Sequence, residues 1–227
     1  MNVSIVYIFP ATAGEQHVQW ALRFVKSYNE NPPAIDHQTI VVLNAAKITS
    51  EIRCMFASLR NVTFLERDGS AMDIGGYQEA ARKFPCDLMV FFGGSTYFKG
   101  AGWLLRMLQA FIKHGNALYG CMGNKGETYP RRVFPHLRTT AFWLPPDLMN
   151  RYPRRITRND QRYGFEHGPD CLTSWIKGRG MKAWLVTWMG EYLEPDWDSV
   201  PNGFHRGNQS ALLCGDRLCE PPYYAVA

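Results

Sequence analysis

The chain opens as an alternation of two periodicities, and few folds accommodate it. Short apolar runs at residues 3–9, 38–43, 62–65, 88–92 and 117–121 alternate with segments whose apolar residues recur at helical spacing. Val18, Ala21, Leu22, Val25 and Tyr28 make one such face. Ile48, Ile52, Met55, Phe56 and Leu59 make a second, with Thr49 or Ser50 as its N-cap. Leu104, Leu105, Leu108 and Phe111 make a third, over 103–112. A continuous apolar run is a strand buried on both sides. Strands that alternate with helices build a mostly parallel sheet with helices on both faces. The predicted class is therefore α/β and Rossmann-like.

Beyond Gly123 the rhythm changes. The segment GNKGETYPRRVFPHL, 123–137, is polar and contains prolines, which predicts a long loop. Residues 139–144 read as a strand, Pro145-Pro146-Asp147 as the start of a short helix, 165–177 as one helix, and 182–188 as a last strand. Loop chemistry fills 193–227. No repeat or linker divides the 227 residues, so the expectation is one domain with a regular half, 1–123, and an elaborated half, 124–227.

Composition narrows the partners. Hydrophobic residues at 46% and charged residues at 20% are ordinary for a soluble domain. No apolar run approaches the ~20 residues of a membrane span. The segment after Met1 lacks a basic start and a cleavage site, so it reads as a strand rather than a signal peptide, and a cytoplasmic location is expected. The net charge is +5, and Arg131-Arg132, Arg154-Arg155 and Arg158 cluster in mid-chain. They form either a solvated face or a contact for an acidic ligand: a diphosphate, an anionic polysaccharide, or a lipid headgroup met peripherally at the inner membrane face. No nucleic-acid motif accompanies them, so nucleic acid is not an expected partner. Six scattered cysteines read as reduced, mostly buried thiols, with no zinc spacing. Trp188, Tyr192, Trp197, Phe204, Tyr223 and Tyr224 fall in a Pro- and Gly-rich region, where flat apolar faces suit sugars or proteins.

Two loops carry the chemistry. The stretch RDGSAMDIGG, 67–76, reads as a polar loop closing on Asp73-Ile74-Gly75-Gly76 before a short helix at 78–84. Gly93-Gly94-Ser95-Thr96 follows the run 88–92. Loops that open at the same edge of a parallel sheet form one crevice, where α/β proteins hold ligands. Asp73 can accept two hydroxyl donors at once. Gly75 and Gly76 would let the backbone approach a ligand and aim a helix N-terminus into the crevice. Alternatively, Asp73 caps the helix and the glycines only make a turn. A carboxylate facing exposed amides suits a nucleotide.

Together with TTAFWLPPDL, 139–148, these features resemble the GT-A-type nucleotide-sugar glycosyltransferases. RDGSAMDIGGYQEA is similar to a segment of the rhamnan-synthesis family of polysaccharide-building enzymes, over about residues 70–210. The resemblance implies that Pro10, Ala11 and Thr12 lie against the nucleoside, that Asp73 bonds base or ribose, and that Gly94, Ser95 and Thr96 approach the donor. Such enzymes commonly carry an Asp-x-Asp after the fourth strand, holding a divalent metal. Gly93-Gly94-Ser95-Thr96 offers no carboxylate, and hydroxyls alone host a hard dication poorly. Either Lys99, Arg131 or Arg132 neutralises the diphosphate, or Mn²⁺ or Mg²⁺ is held from elsewhere. Asp196-Trp197-Asp198 is a late Asp-x-Asp. His205 with Arg206 is a late metal or phosphate candidate, or a structural pair. Glu166 or Asp170, at the start of the helix read at 165–177, matches the acceptor-side base, a position that favours the ionised form. Either acid could instead be only a cap.

The implied activity moves a sugar from a nucleotide-diphosphate donor to a glycan or lipid-linked acceptor, with inversion. The alternative is a catalytically inactive carbohydrate-binding or scaffolding protein on the same fold, which the missing Asp-x-Asp favours. PATAG after the first strand is no GxGxxG, and no GxxxxGK[ST] occurs, which argues against a dinucleotide oxidoreductase and a P-loop NTPase.

Overall fold

All seven apolar runs named above become strands. A computed structural model describes residues 1–10, 14–124, 134–197 and 210–219. The order is β1 Val3–Pro10, α1 Glu15–Glu30, β2 Gln38–Asn44, α2 Ser50–Phe56, β3 Val62–Arg67, α3 Met72–Lys83, β4 Leu88–Phe92, β5 Tyr97–Phe98 and α4 Trp103–His114. There follow β6 Leu118–Gly120, β7 Gly123–Asn124, β8 His136–Leu137, β9 Ala141–Leu144, α5 Pro146–Arg151, α6 Arg162–Glu166, α7 Leu172–Lys177, β10 Ala183–Val186, β11 Glu191–Tyr192 and β12 Cys214–Gly215.

Eight strands form the central sheet in the order β11-β10-β6-β9-β4-β1-β2-β3. The pairs β1/β2, β1/β4, β2/β3 and β6/β10 are parallel. β9 runs antiparallel between β4 and β6, and β11 antiparallel on the edge. The chain leaves β1 toward β2 and β3, then returns to lay β4 on the other side of β1. That reversal opens a crevice at the carboxyl ends of β1 and β4. Strand residues alternate between two cores. Ile5, Tyr7 and Phe9 face α1, α2 and α4; Val6 and Ile8 face α3, α5 and α7.

Several local expectations change. Thr49 is the N-cap of α2, its side chain accepting from the Ile52 amide at 3.3 Å. On α1 the buried face is Ala21, Phe24, Val25 and Tyr28, whereas Val18 and Leu22 are exposed. Phe24 stacks on Tyr7 with ring centroids 4.0 Å apart, and this large contact turns the helix past the simple apolar stripe. α4 likewise buries Trp103, Leu104, Met107 and Ala110. The helix read at 165–177 is two, α6 and α7, broken at Gly168-Pro169. Proline has no N–H to donate and disfavours helical backbone in the residue before it. Trp197 is fully buried, not a sugar platform; Trp143, also fully buried, stacks on Tyr119. Cys121, Cys171 and Cys214 are buried, but Cys54 is exposed. Among the described residues no helix is long and apolar enough to cross a membrane.

The largest local difference lies at α3, which starts at Met72 and takes in the whole Asp73-Ile74-Gly75-Gly76 segment. Both glycines are buried and serve packing rather than ligand approach. A Cβ at Gly76 would lie 2.8 Å from Ile8 Cδ1 and 3.1 Å from Val42 Cγ1. One at Gly75 would lie 2.7 Å from the Ser70 carbonyl and 2.6 Å from the Arg67 guanidinium. That guanidinium is itself fixed by Asn44 Oδ1 and the carbonyls of Ser70 and Met72. Gly75→Ala should therefore lower the urea midpoint. Overpacking costs about 1–3 kcal/mol, which outweighs the ~1 kcal/mol gain in helix propensity. A raised midpoint would show that the contact relaxes freely.

Candidate functional site

Two adjoining cavities occupy the crevice. The larger, about 460 Å³, is walled by Ile8 of β1, Asn44 and Ala45 at the end of β2, Asp68 and Gly69 after β3, and His17 and Trp20 of α1. The smaller, about 190 Å³, is walled by His136, Arg138, Thr139, Thr140, Glu166, His167 and Asp216. Asp73, Gly94, Ser95, Arg162 and Arg217 line both.

Strained backbone delivers Asp73 to this junction. Gly69, Ala71 and Met72 all have positive φ (83°, 55° and 46°), and Ala45 opposite has 56°. Non-glycine residues in that region cost of order 1–3 kcal/mol each, and such strain concentrates at functional sites. The turn places Asp73 in the first turn of α3, its side chain about a quarter exposed. Burial pushes its carboxyl up to about 6, against the pull of Arg162 and with a further push from Glu166.

Arg162 is the hub. Its Nη2 lies 3.1 Å from Asp73 Oδ1 and 3.6 Å from Glu166 Oε2. Among the described residues its buried Nε has no hydrogen-bond partner, and neither has Nη1 of Arg138. Thr139 donates its hydroxyl to Glu166 Oε1. Glu166 closes α6 instead of opening a longer helix, so its carboxylate faces Arg162 and Thr139 rather than a helix N-terminus. Behind it, Asp216 accepts from Thr140 Oγ1 at 3.0 Å and lies 3.8 Å from Arg138 Nη2.

The loop after β4 is held on both sides by hydrogen bonds. Tyr7 donates to Gly94 O at 2.8 Å, and Arg23 to Ser95 O at 2.8 Å. The Gly93 amide and the Thr96 hydroxyl both donate to Thr140 O, at 2.8 and 3.0 Å. Among the described residues the Gly94 and Ser95 amides have no hydrogen-bond partner, and both residues face the cavities. On the α1 side, His17 packs edge-on to Trp20 at 4.7 Å; burial and then Arg217 lower its pKa.

Of the residues singled out in the sequence, Asp73, Gly94, Ser95 and Glu166 meet at the crevice. Pro10 ends β1, in register with Asn44. Thr96 is buried and spent on Thr140, so it offers nothing to a ligand. Gly75 and Gly76 lie inside α3 and line neither cavity. Asp170 is exposed and paired with Arg154 at 2.8 Å, outside both cavities, because the break at Pro169 carries it to the surface. Lys99 also lines neither; it follows β5, its amide donating to Leu213 O. Asp196 ends a short turn beside edge strand β11, next to the buried Trp197. Ala11, Thr12, Arg131, Arg132, Asp198, His205 and Arg206 lie outside the described residues. Among the described residues no three His, Cys, Asp or Glu side chains are grouped to hold a metal. The donors after β4 are hydroxyl and amide groups, a set that does not fit a hard dication.

Sequence reading missed Arg138, Arg162, Arg217, His136, His167 and Asp216. Arg162 alone left a local signal, standing four residues before Glu166.

No protein-family model and no curated protein matches the chain. Among solved structures it is similar to HddC from Yersinia pseudotuberculosis (12% identity, TM-score 0.47, covering 68% of this chain and 82% of that one). A second is residues 1–349 of S. aureus TarS in complex with UDP-GlcNAc (14%, TM-score 0.47, 66% of this chain). The chain spans 46% of that TarS fragment. The third is a putative glucose-1-phosphate thymidylyltransferase from Bacillus anthracis in complex with a sucrose (8%, TM-score 0.50, 79% of this chain and 84% of that one). At such identities the likeness is one of fold. The class expected from the sequence, an α/β, GT-A-like and Rossmann-like sheet, is the one found.

Proposed function

We propose that this chain is a glycosyltransferase that moves a sugar from a nucleoside-diphosphate donor to a glycan or lipid-linked acceptor, with inversion. The observation that carries the reading is the junction of the two cavities, where Asp73, the Gly94 and Ser95 amides, Arg162 and Arg217 converge at the carboxyl ends of the parallel strands. In this reading the larger cavity takes the nucleoside. Trp20 offers an apolar ring face to the base, and Asp73 accepts the ribose hydroxyls. The diphosphate lies across the Gly94 and Ser95 amides, its charge met by Arg162, Arg138 and Arg217 rather than by a metal. The buried Arg162 Nε and Arg138 Nη1, which have no hydrogen-bond partner among the described residues, support that role. Glu166, across Arg162 from Asp73, takes the proton of the attacking hydroxyl. The narrower likeness to rhamnan-synthesis enzymes belongs to this same reading.

Thermal unfolding with UDP, GDP and dTDP, each with and without Mn²⁺, tests it. A site-filling nucleotide at a hundredfold excess over Kd stabilises by about 2.7 kcal/mol, worth roughly 2–4 °C per kcal/mol for a chain of this size. Asp73→Ala should erase the shift. No shift from any of the three would refute nucleotide binding. Glycan binding without turnover of any donor would favour the non-catalytic alternative.

A further inference from the structure

Of the three arginines at 154, 155 and 158, two are spent on surface carboxylates. Arg154 donates to Asp170 at 2.8 Å, and Arg158 to Asp160 at 2.9 and 3.0 Å. Arg155 has no side-chain hydrogen bond or ion pair among the described residues, and it lines a third cavity of about 330 Å³. The end of β3 and the turn after it supply Arg67 and Ser70 to that cavity. α3 supplies Glu79 and Arg82, and the segment after α5 supplies Arg155 and Thr157.

A buried side chain sets its width. Gln78, 4% exposed, stands one turn before Arg82 on α3. Its Nε2 donates to the Arg154 carbonyl and its Oε1 accepts from the Ile156 amide, each at 2.9 Å. The backbone on both sides of Arg155 is thereby clamped to the helix that carries Arg82. Arg82 also has no side-chain hydrogen bond or ion pair among the described residues. Partial burial and then Arg155 depress its pKa, with Arg67 adding and Glu79 opposing, as expected of like charges held close. The carboxylates on the cavity wall already have donors. Glu79 accepts from Lys83 at 2.8 Å and Arg67 at 3.4 Å, and Asp68 from the Ser70 amide at 2.9 Å.

We propose that this cavity binds a phosphate group, gripped between Arg82 and Arg155. A phosphate monoester carries about −1.5 to −2 charge near neutral pH, which two guanidinium groups balance; a carboxylate would leave one of them unmatched. Each guanidinium fork can give a phosphate two parallel N–H···O bonds. The volume stands near the ~300 Å³ lower end of ligand pockets, which leaves room for more than the phosphate alone. That phosphate arrives on a soluble molecule or on a lipid headgroup. Asp68 lines both this cavity and the larger cavity of the crevice, but Arg82 and Arg155 line neither crevice cavity. The site therefore stands apart from the transferase reading.

Arginine side-chain Nε–H NMR signals, followed as inorganic phosphate is added at constant ionic strength, test the proposal. Arg82→Gln and Arg155→Gln, changes at exposed side chains, identify the two signals by their loss. In wild type both should move with one midpoint, and Arg154→Gln should leave that midpoint in place. Removing either guanidinium should weaken phosphate binding by about tenfold or more. Arg82 and Arg155 signals that stay still, or that move equally with sodium chloride, overturn the proposal. So does an affinity unchanged in the double variant Arg82→Gln/Arg155→Gln. Sedimentation with phosphatidylcholine vesicles containing phosphatidic acid identifies the source. Pelleting that the double variant loses assigns a lipid headgroup; pelleting absent or unchanged, beside a phosphate response, assigns a soluble phosphate ester. Failure of every nucleotide to shift unfolding removes the transferase reading and leaves this site standing.

Discussion

Glu166→Gln is expected to abolish most turnover, lowering kcat by about 10²–10⁴-fold, and to leave any nucleotide-induced thermal shift in place. Gln keeps the size of Glu and can still accept from Thr139 and Arg162, so the pocket retains its shape. What disappears is a lone pair basic enough to take a hydroxyl proton. Asp170→Asn is the matched control and stays near wild-type activity. Its carboxylate is mostly exposed and, among the described residues, pairs with Arg154 alone on the surface, and such pairs contribute ~1 kcal/mol or less. Steady-state kinetics with separate donor-binding measurements read both variants. The assignment fails if Glu166→Gln turns over normally, or if Asp170→Asn is the dead one.

Arg162→Ala loses both halves of the site at once. Its guanidinium holds Asp73 at 3.1 Å and Glu166 at 3.6 Å, and in the proposed complex it also faces the diphosphate. Removing one such donor from a preorganised site costs about 10²–10³ in kcat, and here the donor-induced thermal shift should fall as well. The pH dependence separates this from general damage. Asp73 has a folded-state pKa near 6, above its ordinary 3.8. The fold therefore favours the protonated form. Stability gained from that proton is fully present below the ordinary value and is lost as pH rises through about 6. Nucleotide binding runs the other way, since the ribose needs the ionised carboxylate: the thermal shift should fade as pH drops through about 6. Because Arg162 pulls the Asp73 pKa down, its removal should move that fade to higher pH. A shift profile that is flat with pH, or unmoved in Arg162→Ala, would detach Asp73 from the nucleotide.

Much of the fold was legible because its causes are local. A run such as Leu88–Phe92 is apolar at every position only if both faces of the strand are buried. The spacing of Ile52, Met55 and Phe56 makes a helix face whatever lies around it. Where reading by period failed, a single large contact or a backbone constraint had overridden it. Phe24 turned α1 onto Tyr7, and Pro169 split the late helix. At Gly75 and Gly76 residue type was read correctly as marking a close approach, but the approaching partner was the sheet and not a ligand.

The sequence by itself determined the order of strands and helices, the acidic residue and small-residue loop that end β3 and β4, and the lack of a carboxylate in that loop. Only the tertiary structure decided which cations and bases join them. Asp73 and Arg162 are 89 residues apart, and they meet because β9 runs antiparallel beside β4, setting Thr139 and Thr140 at the crevice with α6 next to them. Strand direction and sheet order depend on which long-range pairings bury the most surface. A pattern read along the chain reports how each segment is buried but not which segment lies beside it, and so it located one wall of the site and missed the other.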